Sequence, residues 1–453
     1  MLYKASKSLL LAFVLAFTFG AMLQSSVQAQ DETTLNIFLG SVGDLVPDQE
    51  IVDRWAAEKG VTVEFVYAPQ SATDILAVIQ QFLAAKSADV DIIQFDTIWP
   101  GILAPNMLDL APYIESSGFD TASFYPRLFT NNIVDGKVVG LPWFTDAGLL
   151  YYRTDLLEKY SLEVPTTWDE LTAAATTIQE GERAEGLSEF YGFVYQANAY
   201  EGLTCDALEW QFSNGGGSIV EADGTISVNN PATIAALERA ASWVGTIAPE
   251  GVTTYQEEDA RRVFQAGNAA FMRNWPYAYL LGQGGADGSA ETAVKGLFNV
   301  APLPAGDAGY GAAALGGWQL GVSAYSPNAD LAAELVLYLV SPEVQKERAL
   351  RLSNLPTIEA LYTDAEIAEQ IPFIAQLVPV FQNASPRPST VTADKYNDVS
   401  VAYFTAVHSV LTGEADAATA MEDLEVQLED ILGEGFTVGA PPVMPMATAE
   451  AGS

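Results

Sequence analysis

The chain has very few of the side chains on which many catalytic and metal centres depend. Its 453 residues include one cysteine, Cys205, and one histidine, His408. A disulfide framework and a zinc cluster of Cys and His ligands are therefore excluded, and we expect no His-dependent triad, no metal and no cofactor. Both residues stand in runs of helix formers, where Cys205 is interpreted as a small core residue and His408 as an ordinary helix residue.

Basic residues are also scarce. The sequence holds 20 Lys and Arg against 58 Asp and Glu, which gives a formal net charge of −38. So negative a surface repels nucleic acid, and we expect no nucleic-acid partner. The charge favours a well-solvated surface and disfavours the electrostatic steering of anionic ligands towards the protein.

A long apolar run lies at the amino terminus. Lys4 and Lys7 precede "LLLAFVLAF", and the "SSVQAQ" that follows offers a small-residue cleavage site ending at Ala29. This pattern predicts a signal peptide over residues 1–29 and a mature chain that starts at Gln30. The run is short for a membrane span, and no cysteine follows it to carry a lipid. We therefore expect a soluble protein exported to the periplasm or another extracytoplasmic space.

The start of the mature sequence has the pattern of a βαβαβ unit. Strand-like runs alternate with helical periodicity at 34–39, 47–59, 61–68, 73–86 and 89–96. The strands are β-branched and nearly continuous, which is typical of a parallel sheet buried on both faces. The fold class predicted is α/β, with doubly wound sheets flanked by helices.

The loops after the first and third predicted strands carry the first candidate site residues. They read "GSVGD" and "FDTIWPG". Ligands of doubly wound sheets bind beyond the carboxyl ends of the strands. Asp44, Asp96 and Trp99 are thereby placed at one rim of the sheet.

A second α/β set and a mostly helical last third follow. A capping box of Thr167 and Glu170 begins one helix of the second set, and Asn230 begins another. Further helices are expected at 328–340, 342–352, about 366–380, 394–411 and 416–431. The length exceeds what one core usually sustains, so two domains are expected. The last 20 residues, 434–453, are rich in Pro, Ala and Gly without periodicity, which predicts a disordered tail.

Three aromatic clusters stand at predicted strand ends beside Gly or Pro. They read "PWFTD", "NWPYAY" and "GGWQL". Loops and ligands are found at such positions, and Trp and Tyr offer apolar faces with a polar edge, which suits a sugar ring. Core packing explains each cluster by itself about as well as binding does, so both interpretations stay open at this point.

Asp146 stands inside the aromatic and aliphatic run "LPWFTDAGLLYYR". A carboxylate in such surroundings needs hydrogen-bond donors. If the segment is extended, Phe144 and Asp146 point the same way, one to stack on a sugar and one to accept from its hydroxyls. Trp143 and Thr145 then face the opposite side. The alternative is that Asp146 caps or braces a crossover between two lobes.

The order of several strings adds a family resemblance. From "DIIQFDTIWPG" and "LPWFTDAGLLYYRTDLLEKY" through "FQAGNAAFMRNWPYAY" and "LGGWQLGVS" to "NASPRP", nearly the whole mature chain resembles the extracellular solute-binding proteins of ABC sugar importers. It is most similar to the trehalose/maltose-binding branch. The resemblance implies a periplasmic-binding-protein fold that closes over an oligosaccharide and delivers it, as a monomer, to permease subunits driven by a cytoplasmic ATPase.

The same resemblance implies which residues bind the sugar. They are Asp44, Asp96, Phe144, Asp146, Trp275, Tyr277, Gly317, Trp318 and Arg387. Phe144 lacks the hydroxyl of the tyrosine that is common at its position in this branch. The stretch "TDILAVIQQFL" has no arginine where the branch often places one for the ligand. These two departures leave the identity of the disaccharide open.

The resemblance also implies that the chain passes between the lobes three times. We expect these hinge crossovers near 142–147, 312–317 and 353–358. One lobe would comprise 31–143 and 317–355, and the other 147–313 and 358–433.

Two other functions stay open. A secreted glycosidase would also bring aromatic rings and carboxylates to a sugar, but it needs two carboxyl groups roughly 5–9.5 Å apart around one bond. A binding protein for another neutral solute, such as a polyol or a longer oligosaccharide, would use the same residue types. The resemblance favours a binding protein without enzymatic activity.

Overall fold

The structure is a computed structural model that describes residues 33–40, 46–285, 288, 290–382 and 384–442. The predicted signal peptide and Gln30 lie outside these residues. Within them, the predicted α/β class is confirmed. No helix in the described ranges is both long and apolar enough to span a membrane.

Thirteen strands are assigned within the described ranges. They are β1 Thr34–Leu39, β2 Thr62–Tyr67, β3 Ile92–Asp96, β4 Ile133–Val134, β5 Lys137–Val138, β6 Leu141–Ala147, β7 Leu149–Arg153, β8 Tyr191–Val194, β9 Thr225–Ile226, β10 Ala269–Asn274, β11 Phe298–Pro302, β12 Leu315–Val322 and β13 Thr437–Val438.

The α-helices alternate with these strands and then dominate the last third. They are α1 Val46–Lys59, α2 Ala72–Ala84, α3 Pro100–Leu103, α4 Ala111–Ser117, α5 Pro126–Thr130, α6 Thr154–Tyr160, α7 Trp168–Ala184, α8 Glu201–Ser213, α9 Pro231–Trp243, α10 Glu257–Gln265, α11 Ala278–Gly282, α12 Ala329–Leu339, α13 Pro342–Leu352, α14 Ala365–Gln370, α15 Ile374–Gln382, α16 Ser389–Thr392, α17 Tyr396–Leu411 and α18 Ala417–Leu432.

The first sheet has five strands in the order β2-β1-β3-β12-β6. β1 pairs in parallel with β2 and β3, which confirms the predicted βαβαβ unit. β12 runs antiparallel to both β3 and β6 and makes the sheet mixed. β12 runs in this direction because the chain leaves the first sheet at the end of β6 and passes through the second sheet. It then returns to the first sheet at the same end and continues as β12.

The second sheet has four strands in the order β11-β7-β10-β8. β7 is antiparallel to both of its neighbours, and β10 is parallel to β8. Each sheet has its own apolar core. The core of the second sheet includes the buried indoles of Trp168, Trp210 and Trp243, and that of the first includes Trp55 and its neighbours. Because each sheet has its own apolar core, the fold consists of two lobes.

The first passage between the sheets is a single residue, Gly148, between β6 and β7. A Cβ atom there would lie 2.1 Å from Oε1 of Glu209 and 2.7 Å from Nη2 of Arg273. Only glycine lets the strand pass over this buried ion pair without displacing it.

The other passages lie in longer segments. The chain moves from β11 to β12 between Pro302 and Leu315. Near the third predicted crossover, the carbonyl of Leu355 accepts a hydrogen bond from the amide of Thr145 at 3.0 Å, which ties that segment to β6. The lobe boundaries given above remain predictions.

Local sequence signals are confirmed at several helices. The hydroxyl of Thr167 accepts from the amide of Glu170 at 3.2 Å, and the Glu170 carboxylate accepts from the amide of Thr167 at 3.2 Å, so the capping box is present. Cys205 is buried on α8, and burial raises the pKa of its thiol well above the usual range. His408 lies on α17 with Nε2 3.0 Å from the carbonyl oxygen of Thr253.

Two expectations about the last third are corrected. The helix predicted over about 366–380 is two helices, α14 and α15, because Pro372 cannot continue the hydrogen-bond ladder. The tail predicted to be disordered from residue 434 contains β13, which pairs in parallel with β9. Disorder is therefore wrong for 434–442, and residues 443–453 lie outside the described ranges.

Candidate functional site

Three adjacent strands of the first sheet form one wall of a cleft. On β12, Trp318 pairs with Phe144 of β6 on one side and with Asp96 of β3 on the other. Two residues earlier on β12, Gly316 pairs with Asp146 of β6. Cross-strand pairs place side chains within contact of one another. Residues from three distant parts of the sequence thereby meet at the carboxyl end of β3.

Two glycines of β12 allow this wall to form. Gly317 has φ +129°, and a Cβ atom there would lie 2.7 Å from the carbonyl oxygen of Phe144. A Cβ atom on Gly316 would lie 3.1 Å from Cζ3 of Trp275. The missing side chains let β6 and the Trp275 indole approach closely.

The opposite wall comes from the end of β10 in the second sheet. Trp275 donates through Nε1 to Oε1 of Glu257 at 3.4 Å, and Tyr277 donates through its hydroxyl to Oε1 of Glu258 at 2.8 Å. The guanidinium carbon of Arg273 lies 3.9 Å from the centre of the Trp275 rings. These contacts fix the orientation of both aromatic side chains.

Four aromatic rings on the two walls keep part of their surface exposed: Phe144, Trp275, Tyr277 and Trp318. In contrast, Trp143 and Trp99 are buried and pack edge-on against Phe144 and Trp318. The structure therefore separates buried rings from partly exposed rings inside the clusters that the sequence left ambiguous.

Asp146 has no hydrogen-bond donor for its carboxylate in the part of the chain that the structure describes. Its side chain is buried. The pKa of Asp146 is raised to about 7, first by burial and second by the neighbouring charge of Asp96, against the lowering effect of Arg348 and Arg273. Without protein donors, the alternative that Asp146 braces a crossover has no contacts to support it in the described ranges.

Asp96 and Arg387, by contrast, bind each other. Nη1 and Nη2 of Arg387 donate to the two carboxylate oxygens of Asp96 at 3.2 and 2.7 Å, and Nη1 also donates to Oε1 of Glu201 at 2.8 Å. Tyr396 and Ser400 donate to Glu201 in turn. Burial raises the pKa of Glu201, and Arg387 opposes this shift. Of the nitrogens of Arg387, only Nε lacks a partner among the described residues.

These side chains surround one cleft of about 1170 Å³, including its mouth. Of the nine residues implied by the resemblance, eight line it: Asp96, Phe144, Asp146, Trp275, Tyr277, Gly317, Trp318 and Arg387. Asp44 lies outside the described residues. Within the described ranges, no cluster of His, Cys, Asp and Glu is suited to hold a metal ion.

The charges that line the cleft are unequally paired. Arg348 is paired with Asp48, and Arg387 is paired with two carboxylates. Asp146 and Glu257 have no guanidinium within salt-bridge distance, and burial raises the pKa of both carboxyl groups. Glu257 accepts from Trp275, whereas Asp146 is an acceptor that no described donor of the cleft satisfies.

Sequence reasoning missed Glu201, Glu257 and Arg348. Glu201 and Glu257 each begin a helix, α8 and α10, where an acid is expected for helix stability alone. Arg348 stands in "QKERALRL" on α13, beside another arginine at position 351. Nothing in the sequence distinguishes Arg348 from a surface arginine, because its partner Asp48 lies 300 residues away.

Comparisons with known proteins agree with this geometry. A family model described as bacterial extracellular solute-binding protein matches residues 42–346. A probable ABC transporter-binding protein of Deinococcus radiodurans is 47% identical over 427 residues, which cover 94% of this chain and 99% of that protein.

Two solved structures extend the comparison. The maltose-bound MalE3 of T. maritima superposes with a TM-score of 0.82 at 38% identity and covers 88% of this chain and 100% of its own. A solute-binding protein of Agrobacterium vitis with bound D-mannitol has a TM-score of 0.75 at 19% identity and covers 88% and 97% of the two chains. At that identity, the second likeness shows the fold alone.

Proposed function

The chain belongs to the bacterial extracellular solute-binding proteins, and on this premise we propose that it captures a neutral oligosaccharide between its two lobes. The sugar class we propose is an α-glucoside such as maltose or trehalose. The loaded protein would deliver it to the permease of an ABC importer with a cytoplasmic ATPase. Export through the predicted signal peptide and action as a monomer are parts of the same proposal.

One observation carries the proposal: partly exposed aromatic rings stand on both walls of a single cleft, together with one buried carboxylate, Asp146, that no described donor satisfies. Phe144 and Trp318 stand on one wall, and Trp275 and Tyr277 on the other. Aromatic faces cover the apolar C–H faces of a pyranose ring, while its hydroxyls donate outward. Asp146 supplies the acceptor that such hydroxyls require.

The choice of an α-glucoside rests on the likeness to the maltose-bound protein of T. maritima at 38% identity. Another neutral solute, such as a polyol or a longer oligosaccharide, would use the same rings and acceptors. A panel of ligands distinguishes these possibilities.

Hydrolysis of the sugar is disfavoured by the state of Asp96. A glycosidase needs a proton donor and a second carboxylate that is free to attack or to activate water. Burial would suit Asp146 to the role of proton donor. Asp96 is the charged neighbour that most affects the pKa of Asp146, but both of its carboxylate oxygens are engaged by Arg387. The proposed function therefore includes no catalytic step.

A thermal-shift screen tests the proposal. The protein that starts at Gln30 is heated with maltose, trehalose, maltotriose, mannitol and glucose 6-phosphate. A ligand at 100 times its Kd stabilises the folded state by about 2.7 kcal/mol. We expect a clear rise of Tm with at least one neutral α-glucoside and none with the phosphate. A rise with mannitol alone would move the proposal to a polyol, and no rise with any sugar would contradict it.

A further inference from the structure

Arg348 occupies an unusual position for a charged residue. It lies on α13 with 3% of its surface exposed, and its Nε and Nη2 donate to the two carboxylate oxygens of Asp48 on α1 at 2.7 and 3.4 Å. Its guanidinium carbon is 3.7 Å from the ring centre of Trp143 and 4.9 Å from that of Phe144. A buried arginine costs several kcal/mol in desolvation, so four simultaneous contacts to one guanidinium group indicate a defined role.

The contacts of Arg348 lead directly to the cleft. Trp143, Phe144 and Asp146 all belong to β6, and all three line the cleft together with Arg348. A guanidinium plane on an aromatic face restricts the tilt of the ring. Phe144 is the platform of this wall and stands two residues before the free carboxylate, so one arginine supports both.

We propose that Arg348 is a positioning residue of the sugar site, which holds the Phe144 platform from behind and keeps Asp146 able to accept hydrogen bonds from sugar hydroxyls. The inference rests on the proposed function.

Because Arg348 is charged, its proposed role can be tested by measuring how sugar affinity depends on pH. The titratable and charged groups that interact electrostatically with Asp146 are Asp96 of β3, Arg348 of α13, Arg273 of β10, Tyr151 of β7 and Tyr362 of the short 3-10 helix Glu359–Thr363. Asp96 raises the pKa of Asp146, and the two arginines lower it. Arg273 is engaged by Glu209 and Asp206, whereas Arg348 has one carboxylate partner. An ionised acceptor forms the stronger hydrogen bond, so affinity should fall as the pH drops through the pKa of Asp146.

The experiment measures Kd for maltose, trehalose and maltotriose by calorimetry between pH 5 and 9. In a plot of log Kd against pH, the slope should change at the pKa of Asp146 in the unliganded protein. This bend should be absent in Asp146→Asn. The double variant Asp48→Asn/Arg348→Met removes the buried ion pair without leaving one charge alone. We expect its bend to move upward by about one pH unit and its affinity at pH 7 to fall about tenfold.

Two single variants separate charge from shape. Arg348→Lys keeps the charge but loses the planar stack and the forked hydrogen bonds, so it should weaken binding severalfold with the bend unmoved. Arg54→Met is the matched control, since Arg54 also ties α1 to α13, through Glu347, but lies outside the cleft. It should change neither quantity.

An unmoved bend in the folded double variant, or an equal movement in Arg54→Met, would overturn the role of Arg348. No binding of any of the three sugars to the wild-type protein would overturn the proposed function instead. The Tm of each unliganded variant identifies those that are folded.

Discussion

Both carboxylate oxygens of Asp96 accept hydrogen bonds from Arg387, at 3.2 and 2.7 Å, and this pair joins the first sheet to a segment that packs with the second. Arg387 is 4% exposed and also binds Glu201, so one cation holds two buried carboxylates. The resemblance implied that Asp96 and Arg387 each bind sugar. The structure adds a contact between them, which leaves Asp146 as the more available acceptor.

Arg387→Met should destabilise the unliganded protein. The substitution leaves Asp96 and Glu201 buried without a counter-charge, which typically costs about 3–5 kcal/mol. Urea denaturation at pH 7 measures the change. Lys346→Met is the control, because Lys346 also binds two carboxylates but at the surface, where solvent screens the charges and the loss should be much smaller. Equal losses in the two variants would contradict the stabilising role of this buried pair.

Alanine at Trp275 or Trp318 should weaken sugar binding by about 1–3 kcal/mol, since each indole is expected to cover an apolar sugar face. Calorimetric titration of each variant measures the loss. Tyr67→Ala is a suitable control, because Tyr67 is an aromatic residue of the first sheet that is 60% exposed and lies outside the cleft. Unchanged affinity in both tryptophan variants, with their helix content intact, would show that these side chains serve core packing and not sugar binding.

The effect of Asp146→Asn on the free energy of unfolding should depend on pH. Burial raises the pKa of Asp146 to about 7 in the folded protein, so the wild type loses stability as the pH rises from about 4 to 7. The asparagine variant has no carboxyl group at this position and therefore does not lose this stability. Its free energy of unfolding relative to wild type should therefore be higher at pH 8 than at pH 4, by about 1 kcal/mol or more. A difference that is the same at both pH values would show that the carboxylate has a donor.

Gly148→Ala should distort the first passage between the lobes. The added methyl group would overlap the Glu209 carboxylate and the guanidinium of Arg273, and overpacking of this kind costs about 1–3 kcal/mol. Gly101→Ala provides the comparison, because a Cβ atom there has no neighbour within 4 Å. Thermal unfolding of both variants checks the prediction, and equal Tm values would argue against steric demand at Gly148.

Sequence patterns predicted the elements whose signals are local. The βαβαβ unit, the capping box at Thr167 and the asparagine cap at Asn230 depend on residues a few positions apart, and the structure contains all of them. The two helices in place of one at Pro372 could have been predicted from the proline itself.

The contacts that define the site are not local. The pairing of Trp318 with both Phe144 and Asp96 depends on strand order, and the Asp48 partner of Arg348 lies 300 residues away. Family resemblance supplied the residues of the cleft, but it could not show that Asp96 and Arg387 neutralise each other. Three-dimensional geometry alone distinguishes an acid that binds an arginine from one that is free to accept from a ligand.

Calorimetric titration of the wild-type protein with maltose, trehalose and maltotriose at pH 8, where Asp146 is largely ionised, tests the proposed function most directly. We expect saturable binding of one sugar molecule per chain to at least one of them, about tenfold weaker or more in Asp146→Asn, because a mismatched buried group costs about 1–3 kcal/mol. Heat that decays to dilution for every sugar, or a steady heat flow that continues after mixing with release of free glucose, would contradict capture without chemistry.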